Sequence, residues 1–282
     1  MELSTEPLAD CRISILDPTG NITALVEADI AVEQQPSFAV QVMAAHPEVE
    51  QVGFVRVLPA GSSVQAELRM AGGEFCGNAS MCAASLWAQR MGCADARKQS
   101  VRLRVSGASA PVEVHVAPNG EGFFSTGVRM PRARRVVTRA LSFEGSSGAV
   151  PVVEFEGIVH AVIDGSSPLF ALRDDRALAE AAVRAWCEEQ GASCMGLMFI
   201  EGDAPNLRLT PLVFVPKSGT LFWESSCASG SAAAGIAFAE RACRPTSLSL
   251  VEPGGTIHVE SDGVRGETWL FGSVRTVAVQ EV

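Results

Sequence analysis

Two cysteines have the residue type and the surroundings that most clearly indicate chemistry in this chain. Cys76 follows Glu74, and Cys227 follows Glu224 in a second segment of similar composition about half the chain length away. In both segments the cysteine is followed by small residues and then by alanine-rich sequence. A thiol can serve as a nucleophile, a metal ligand, a redox centre, or an acid and base. The surroundings of the two cysteines must therefore decide among these roles.

The alanine-rich segments predict two buried helices. Residues 79–88 and 232–239 have almost no polar face, and a helix that is apolar all round lies in the protein interior. Free N–H groups and the macrodipole at a helix N-terminus favour negative charge. They shift a cysteine at that position towards its thiolate, below the free pKa of about 8.5. The repeated order of cysteine and helix predicts two structurally similar halves.

Small residues beside both cysteines predict a site for an anion. Gly77, Ala79, Ala228 and Gly230 would let a ligand approach the backbone closely. If the two helix ends face each other, their N–H groups can bind a small carboxylate without help from an arginine.

Four functions are compatible with the two cysteines. In the first, one thiolate removes the α-proton of an amino acid and the opposite thiol donates a proton, which inverts the centre without pyridoxal phosphate or metal. In the second, one cysteine is the nucleophile of a papain-like hydrolase, for which His160 is the best placed of four histidines. The third is a redox dithiol, although no pair has CxxC spacing. The fourth is a purely structural role, which leaves the small-residue segments unexplained.

Composition argues against several other classes of function. The 282 residues carry a net charge of −10 with a pI near 5.0, and the basic run at 132–135 is expected to be a solvated loop, so we predict no nucleic-acid partner. No uncharged stretch is long enough to span a membrane and no signal-peptide pattern is present, which predicts a cytoplasmic protein with no membrane partner. The eight cysteines lack metal-ligand spacing, so no metal site is expected.

The order of the predicted elements is similar in the two halves. Each half contains strands, then the buried helix that follows its cysteine, then further strands. A sheet curled around a central helix would cover a helix that has no polar face. We therefore predict an α/β (α+β) fold with two pseudo-symmetric halves, each a mixed or antiparallel sheet wrapped around one helix. The predicted halves are residues 1–130 and 131–282, with the last strand able to return to the N-terminal half.

Segments spread along most of the chain carry a family resemblance: Pro18-Thr19-Gly20-Asn21, Glu50-Gln51-Val52-Gly53-Phe54, residues 70–81, Trp223-Glu224-Ser225-Ser226-Cys227 and Pro253-Gly254-Gly255. The two cysteine segments resemble the paired signatures of the diaminopimelate epimerase and proline racemase superfamily, whose members use two cysteines to invert Cα without a cofactor. Within it, the chain is similar to the histidine racemases that make D-histidine for staphylopine-type metallophores.

The resemblance implies a cofactor-independent enzyme with its active site in a cleft between the halves. Cys76 and Cys227 would be the acid and base. The implied substrate-binding residues are the backbone N–H groups of Gly77, Asn78, Ala228 and Ser229 for the α-carboxylate, Glu224 for the α-ammonium, Asn21 and Glu50 for the side chain, and His160. The resemblance also implies that the chain forms a homodimer. Its expected ligand is a small-molecule amino acid.

The chain departs from the epimerase pattern where that pattern binds the distal end of diaminopimelate. Residues 157–160 lack the family's asparagine, and no Glu-Arg pair precedes Cys227 by about nine residues. Ala228 replaces a usual glycine, and its methyl group should fit if φ is negative while narrowing the pocket. Glu50 could hydrogen-bond an imidazole N–H, the alternative being an exposed charge at a strand edge.

We therefore predict a histidine racemase. Two alternatives stay open at this point. One is a racemase or epimerase of another amino acid, diaminopimelate included, and the other is a non-catalytic relative that binds an amino acid.

Overall fold

The computed structural model describes residues 11–59, 61–93, 98–217 and 219–281. The elements before residue 130 are β1 (Arg12–Pro18), β2 (Thr23–Glu27), α1 (Gln35–Ala45), β3 (Gln51–Val57), β4 (Ala66–Met70), α2 (Gly77–Arg90), β5 (Gln99–Val105), β6 (Val112–Pro118) and β7 (Phe123–Arg129). The later elements are β8 (Arg135–Phe143), β9 (Ser146–Glu154), β10 (Val159–Asp164), a 3-10 helix (Pro168–Asp174), α3 (Arg176–Glu189), β11 (Met195–Asp203), β12 (Asn206–Val215), β13 (Thr220–Trp223), α4 (Ala228–Ala242), β14 (Thr246–Glu252), β15 (Gly255–Ser261) and β16 (Thr268–Glu281).

The strands pair in the same order in both halves. From β1 to β7, successive neighbours are antiparallel, parallel, antiparallel, parallel, antiparallel and antiparallel. The order from β9 to β16 is identical once β13, which pairs with β12, is set aside. A parallel pair needs a crossover connection, and α2 and α4 make the equivalent crossovers, from β4 to β5 and from β12 to β14.

The last strand, β16, connects the two halves. Its first residues pair with β15 and β7, and its last residues pair with β1. Strands β1 to β7 and β16 therefore close around α2, which contacts all of them. In the C-terminal half, β8 pairs with β9. It is the equivalent of the last residues of β16, which pair with β1 in the N-terminal half.

Helices α2 and α4 lie inside the sheets, which confirms the predicted fold class. Residues 77–86 of α2 are all buried, and Met81 and Ala84 have no exposed surface. In α4 the buried residues run from Ala228 to Ala239 with few interruptions. The side chains that face these helices lie at every second position of the surrounding strands, where the residues are buried. Leu103 in β5 is an example.

The other helices cover the outer faces of the sheets. Phe38 of α1 packs edge-on against Phe54 of β3, with ring centroids 6.0 Å apart. Trp186 of α3 is 1% exposed and packs in a separate apolar cluster with Phe199 of β11. No helix in the described ranges is both long enough and apolar enough to cross a membrane.

Shortening a side chain at the centre of α2 should strongly destabilise the protein. Met81→Ala should lower the free energy of unfolding by about 2–5 kcal/mol, because it leaves a cavity in a fully buried site. Val40→Ala on α1, where the side chain is 61% exposed, should change it by no more than about 0.5 kcal/mol. Urea unfolding measures both changes, and equal losses would contradict a central, buried α2.

Candidate active site

Cys76 is the N-cap residue of α2. It follows β4 after a short loop and has extended backbone angles, with φ −131° and ψ 115°. The Ala79 N–H donates to Cys76 Sγ at 3.4 Å, and the Ser80 hydroxyl donates to the Cys76 carbonyl at 2.7 Å. A side chain that accepts from the first turn is the usual cap of a helix N-terminus. The thiol therefore faces the positive end of a buried helix.

Cys227 occupies the same position on α4. Its φ of −127° and ψ of 99° are close to those of Cys76. The first residues of the two helices are in contact, because a Cβ added to Gly77 would lie 2.8 Å from Cβ of Ala228. The methyl group of Ala228 therefore points at the opposite helix end, and the N-terminal ends of α2 and α4 meet.

Both helix ends present backbone donors that have no partner within their own helix. The first N–H groups of an α-helix have no partner within the helix. At α2 they include those of Gly77 and Asn78, and at α4 those of Ala228 and Ser229. Facing helix ends of this kind can bind one small anion between them.

Burial makes the Cys76 thiol difficult to ionise. The pKa of Cys76 is raised to about 12, chiefly by burial and further by the negative charges of Glu74 and Glu224. The Ala79 N–H and the Gln51 side chain act in the opposite direction. Gln51 Oε1 lies 3.0 Å from Sγ and accepts the S–H hydrogen.

Cys227 also lies beside two carboxyl groups. Burial raises the pKa of Cys227 well above its ordinary value, and Glu224 raises it both by its charge and as a hydrogen-bond partner. Glu252 adds a further negative charge. The Ser229 hydroxyl lies 3.7 Å from Cys227 Sγ.

Two carboxyl groups near Cys227 titrate close to neutral pH. Burial raises the pKa of Glu224 to about 7, and the charge of Glu50 contributes. Burial also raises the pKa of Glu252 to about 8, against the lowering effect of hydrogen bonds from Ser231 and the Cys227 N–H. Perturbed ionisable groups of this kind concentrate at functional sites.

Glu50 lies in a polar network that joins the two halves. Its Oε2 accepts the Asn21 side-chain amide at 2.7 Å, and its Oε1 accepts the hydroxyl of Ser225 from the other half. Asn21 is 5% exposed, and its Oδ1 accepts from the side-chain amides of Gln51 and Asn78. Glu50 is therefore partly buried and bonded on both oxygens, unlike an exposed charge at a strand edge.

His160 lies behind Ser229. It has no exposed surface, and its Nε2 is 2.9 Å from the Ser229 hydroxyl. Burial lowers the pKa of His160 to about 3, so the ring is neutral. A Cβ at Gly196 would lie 2.4 Å from His160 Nδ1, which shows how closely the neighbouring strand covers the ring. Its observed contact with the site runs through Ser229, and direct binding of substrate stays a prediction.

Three residues of this site were not singled out by the sequence reasoning. Gln51 contacts the Cys76 thiol, Ser225 bonds Glu50 across the halves, and Glu252 binds the Cys227 N–H. All three lie inside or next to the motifs that carry the family resemblance. The positions of these three residues within or beside the motifs could therefore have indicated that they belong to the site. Their residue types alone do not indicate a role.

Comparison with known proteins identifies the family. The family model described as "Histidine racemase CntK N-terminal domain" matches residues 13–281. This chain belongs to the histidine racemase family. It is 31% identical to the histidine racemase of Staphylococcus aureus, over 95% of each chain, and 29% identical to that of Fusobacterium nucleatum, over 95% of this chain and 97% of the other. The prediction of an isomerase of the racemase and epimerase class is confirmed.

Solved structures support the same fold. A hydroxyproline epimerase from Agrobacterium vitis, solved with bound trans-4-hydroxy-L-proline, aligns with a TM-score of 0.69 at 15% identity, covering 97% of this chain and 92% of that one. A phenazine biosynthesis protein of the PhzF family from Bacillus anthracis aligns with a TM-score of 0.61 at 12% identity, covering 97% and 99%. At these identities the likeness establishes the fold alone.

The raised pKa of Glu252 predicts a pH-dependent stability difference. The folded chain binds this proton more tightly than the unfolded chain does, so the stabilisation is complete below the unfolded pKa and is lost as pH rises through about 8. Glu252→Gln cannot ionise and avoids that loss. Its free energy of unfolding should therefore rise relative to the natural chain between pH 5 and pH 9. The upper limit is about 1.4 kcal/mol for each unit of the pKa shift.

Urea unfolding at pH 5, 7 and 9 measures this difference. Glu188→Gln, which changes an exposed carboxylate on α3, is the control and should show no comparable pH dependence. A constant difference between Glu252→Gln and the natural chain across this range would contradict the raised pKa.

Proposed function

We propose that this chain interconverts L- and D-histidine by a cofactor-independent reaction in which Cys76 and Cys227 act on opposite faces of Cα. The observation that carries the proposal is the matched placement of the two cysteines, each the extended N-cap of a buried helix, with the first helical residues Gly77 and Ala228 in contact. The names of the Staphylococcus aureus and Fusobacterium nucleatum relatives support histidine as the substrate.

The α-carboxylate binds at the two helix ends. Its negative charge is stabilised by the free N–H groups of Gly77, Asn78, Ala228 and Ser229 and by both helix dipoles. This places Cα between the two N-cap residues. The same donors stabilise the charge that develops on the carboxylate as the α-proton leaves, in a site shielded from water.

The α-ammonium binds Glu224, and this pairing prepares the thiols for reaction. The negative charge of Glu224 raises the pKa of both Cys76 and Cys227. A bound ammonium neutralises that charge and lowers both pKa values. Substrate binding thereby removes one of the causes that hold the two thiols protonated.

The reaction transfers one proton on each face. The thiolate on one side takes the α-proton and becomes a thiol, while the thiol on the other side gives its proton to Cα and becomes a thiolate. The product has the opposite configuration, and the two cysteines have exchanged protonation states. Proton exchange with solvent restores the starting form. Both groups must act as acid and base in turn, which suits two residues of the same type.

The polar network around Glu50 is placed to select an imidazole side chain. Its two oxygens already accept hydrogen bonds from Asn21 and Ser225, and an ionised carboxylate has about four acceptor sites. One site can therefore accept a ring N–H and fix the ring orientation.

The geometry gives no support to a papain-like hydrolase. That function needs a histidine beside the nucleophile, whereas Nε2 of the neutral His160 bonds the Ser229 hydroxyl.

Removing either thiol should abolish racemisation. Cys76→Ser and Cys227→Ser should each lower kcat for L-histidine by at least about 100-fold, because a hydroxyl is a far weaker base than a thiolate and general acid–base catalysis contributes about 10²–10⁴. Cys243→Ser is a matched control, since Cys243 is exposed and caps the opposite end of α4. Chiral chromatography measures the rate, and near-normal activity in either active-site variant would contradict the two-cysteine reaction.

Neutralising Glu50 should weaken histidine binding. Glu50→Gln should raise KM for L-histidine by about fivefold, because a hydrogen bond to a charged group contributes about 1 kcal/mol more than one to a neutral group. The effect on kcat should be smaller, since the Glu50 carboxylate bonds Asn21 and Ser225 and not a thiol. Glu48→Gln, at an exposed carboxylate two residues earlier, is the control. An unchanged KM in Glu50→Gln would place the imidazole elsewhere.

A further inference from the structure

The two halves differ at one buried position near the cysteines. β5 and β14 are equivalent seven-residue strands that follow the central helix of each half, and their buried positions alternate in the same way. The last buried residue is Val105 in β5 and Glu252 in β14, with exposed fractions of 5% and 4%. The C-terminal half therefore has a carboxyl group where the N-terminal half has an aliphatic side chain.

Glu252 is bound to the first turn of α4. Its Oε2 accepts the Cys227 N–H at 2.6 Å, and its Oε1 accepts the Ser231 hydroxyl. The equivalent serine of α2 is Ser80, which donates to the Cys76 carbonyl instead. The carboxyl group of Glu252 on β14 thus accepts from two donors at the N-terminal end of α4.

The turn after Glu252 is held between the two halves. The Gly254 N–H donates to the Ser225 carbonyl at 2.8 Å. On the other side, a Cβ at Gly20 would lie 2.3 Å from Cα of Gly254, so the two glycine backbones are in direct contact. The position of the Glu252 carboxyl group relative to Cys227 is therefore fixed by contacts on both sides.

The charges that face Cys227 have one sign. They come from Glu224 in the loop before α4 and from Glu252 on β14, and both raise the pKa of Cys227. His160 on β10 is neutral and lies behind Ser229. Glu252 itself faces Glu224 and Cys227, and no arginine or lysine of the described residues forms an ion pair with it.

We propose that Glu252 is a positioning residue that makes Cys227 harder to ionise than Cys76 in the ligand-free chain, so that the two thiols do not ionise together. This inference rests on the two-base function proposed above. Inversion needs one base and one acid, and it stops when both thiols are ionised because no proton donor then faces Cα. As pH rises, an ionised Glu252 opposes the second ionisation and preserves the pair.

The test compares Glu252→Gln with the natural chain over a range of pH. Alkylation of the folded protein by iodoacetamide is followed separately at Cys76 and Cys227 by peptide mass spectrometry. The pH midpoint for Cys227 should fall by about one unit, since removing a nearby like charge has an effect of this size, and that of Cys76 should not change. The alkaline limb of kcat/KM for racemisation should move to lower pH in parallel.

Two serine variants form a matched pair. Ser231→Ala removes a hydrogen bond that favours ionised Glu252, so the Cys227 midpoint should fall by a smaller amount. Ser80→Ala, the equivalent change on α2, should leave the Cys227 midpoint where it is. Should Glu252→Gln fail to fold, the contrast between the two serine variants carries the same test.

The outcomes separate this inference from the function on which it rests. If Glu252→Gln lowers Tm but leaves the Cys227 midpoint unchanged, Glu252 is structural only and the inference is overturned. If the midpoint shifts but the natural chain racemises no amino acid, the proposed function fails while control of Cys227 ionisation by Glu252 is supported.

Discussion

The contact between two helix N-termini in the protein interior is the constraint on which the rest of the structure depends. Gly77 and Ala228 touch, and any larger side chain at Gly77 would separate the helices. Helices that meet inside a protein must be apolar on every face, and so α2 and α4 are enclosed by curved sheets. The long final strand β16 pairs with strands of both halves and contacts both helices.

The same burial that brings the cysteines together makes their ionisation unfavourable. Positive helix ends favour thiolates, yet burial and neighbouring carboxylates outweigh them, and the pKa of Cys76 rises to about 12. A site of this kind holds little thiolate until a ligand changes its charge balance. We propose that a zwitterionic amino acid does so, since its ammonium group neutralises Glu224 while its carboxylate binds between the two helix ends.

The sequence predicted the buried helices and the position of both cysteines because apolar helices and repeated motifs leave strong local patterns. It did not predict β8, in which only Leu141 is buried, so the strand shows no alternation. Glu252 was also missed, because a glutamate ending a strand normally indicates an exposed position. Its carboxyl group is instead bound at the N-terminal end of α4, more than twenty residues earlier in the chain, by the Cys227 N–H and the Ser231 hydroxyl. A homodimer, a cytoplasmic location and a role in metallophore synthesis stay predictions.

The central claim is that two separate groups handle the proton on the two faces of Cα. The most direct measurement is mass spectrometry of early product after L-histidine is incubated with the protein in D₂O. We predict that D-histidine carries deuterium at Cα from the first turnovers, while the remaining L-histidine keeps its protium. Early D-histidine that retains the substrate's own proton, or L-histidine that exchanges faster than it inverts, would contradict the two-base account.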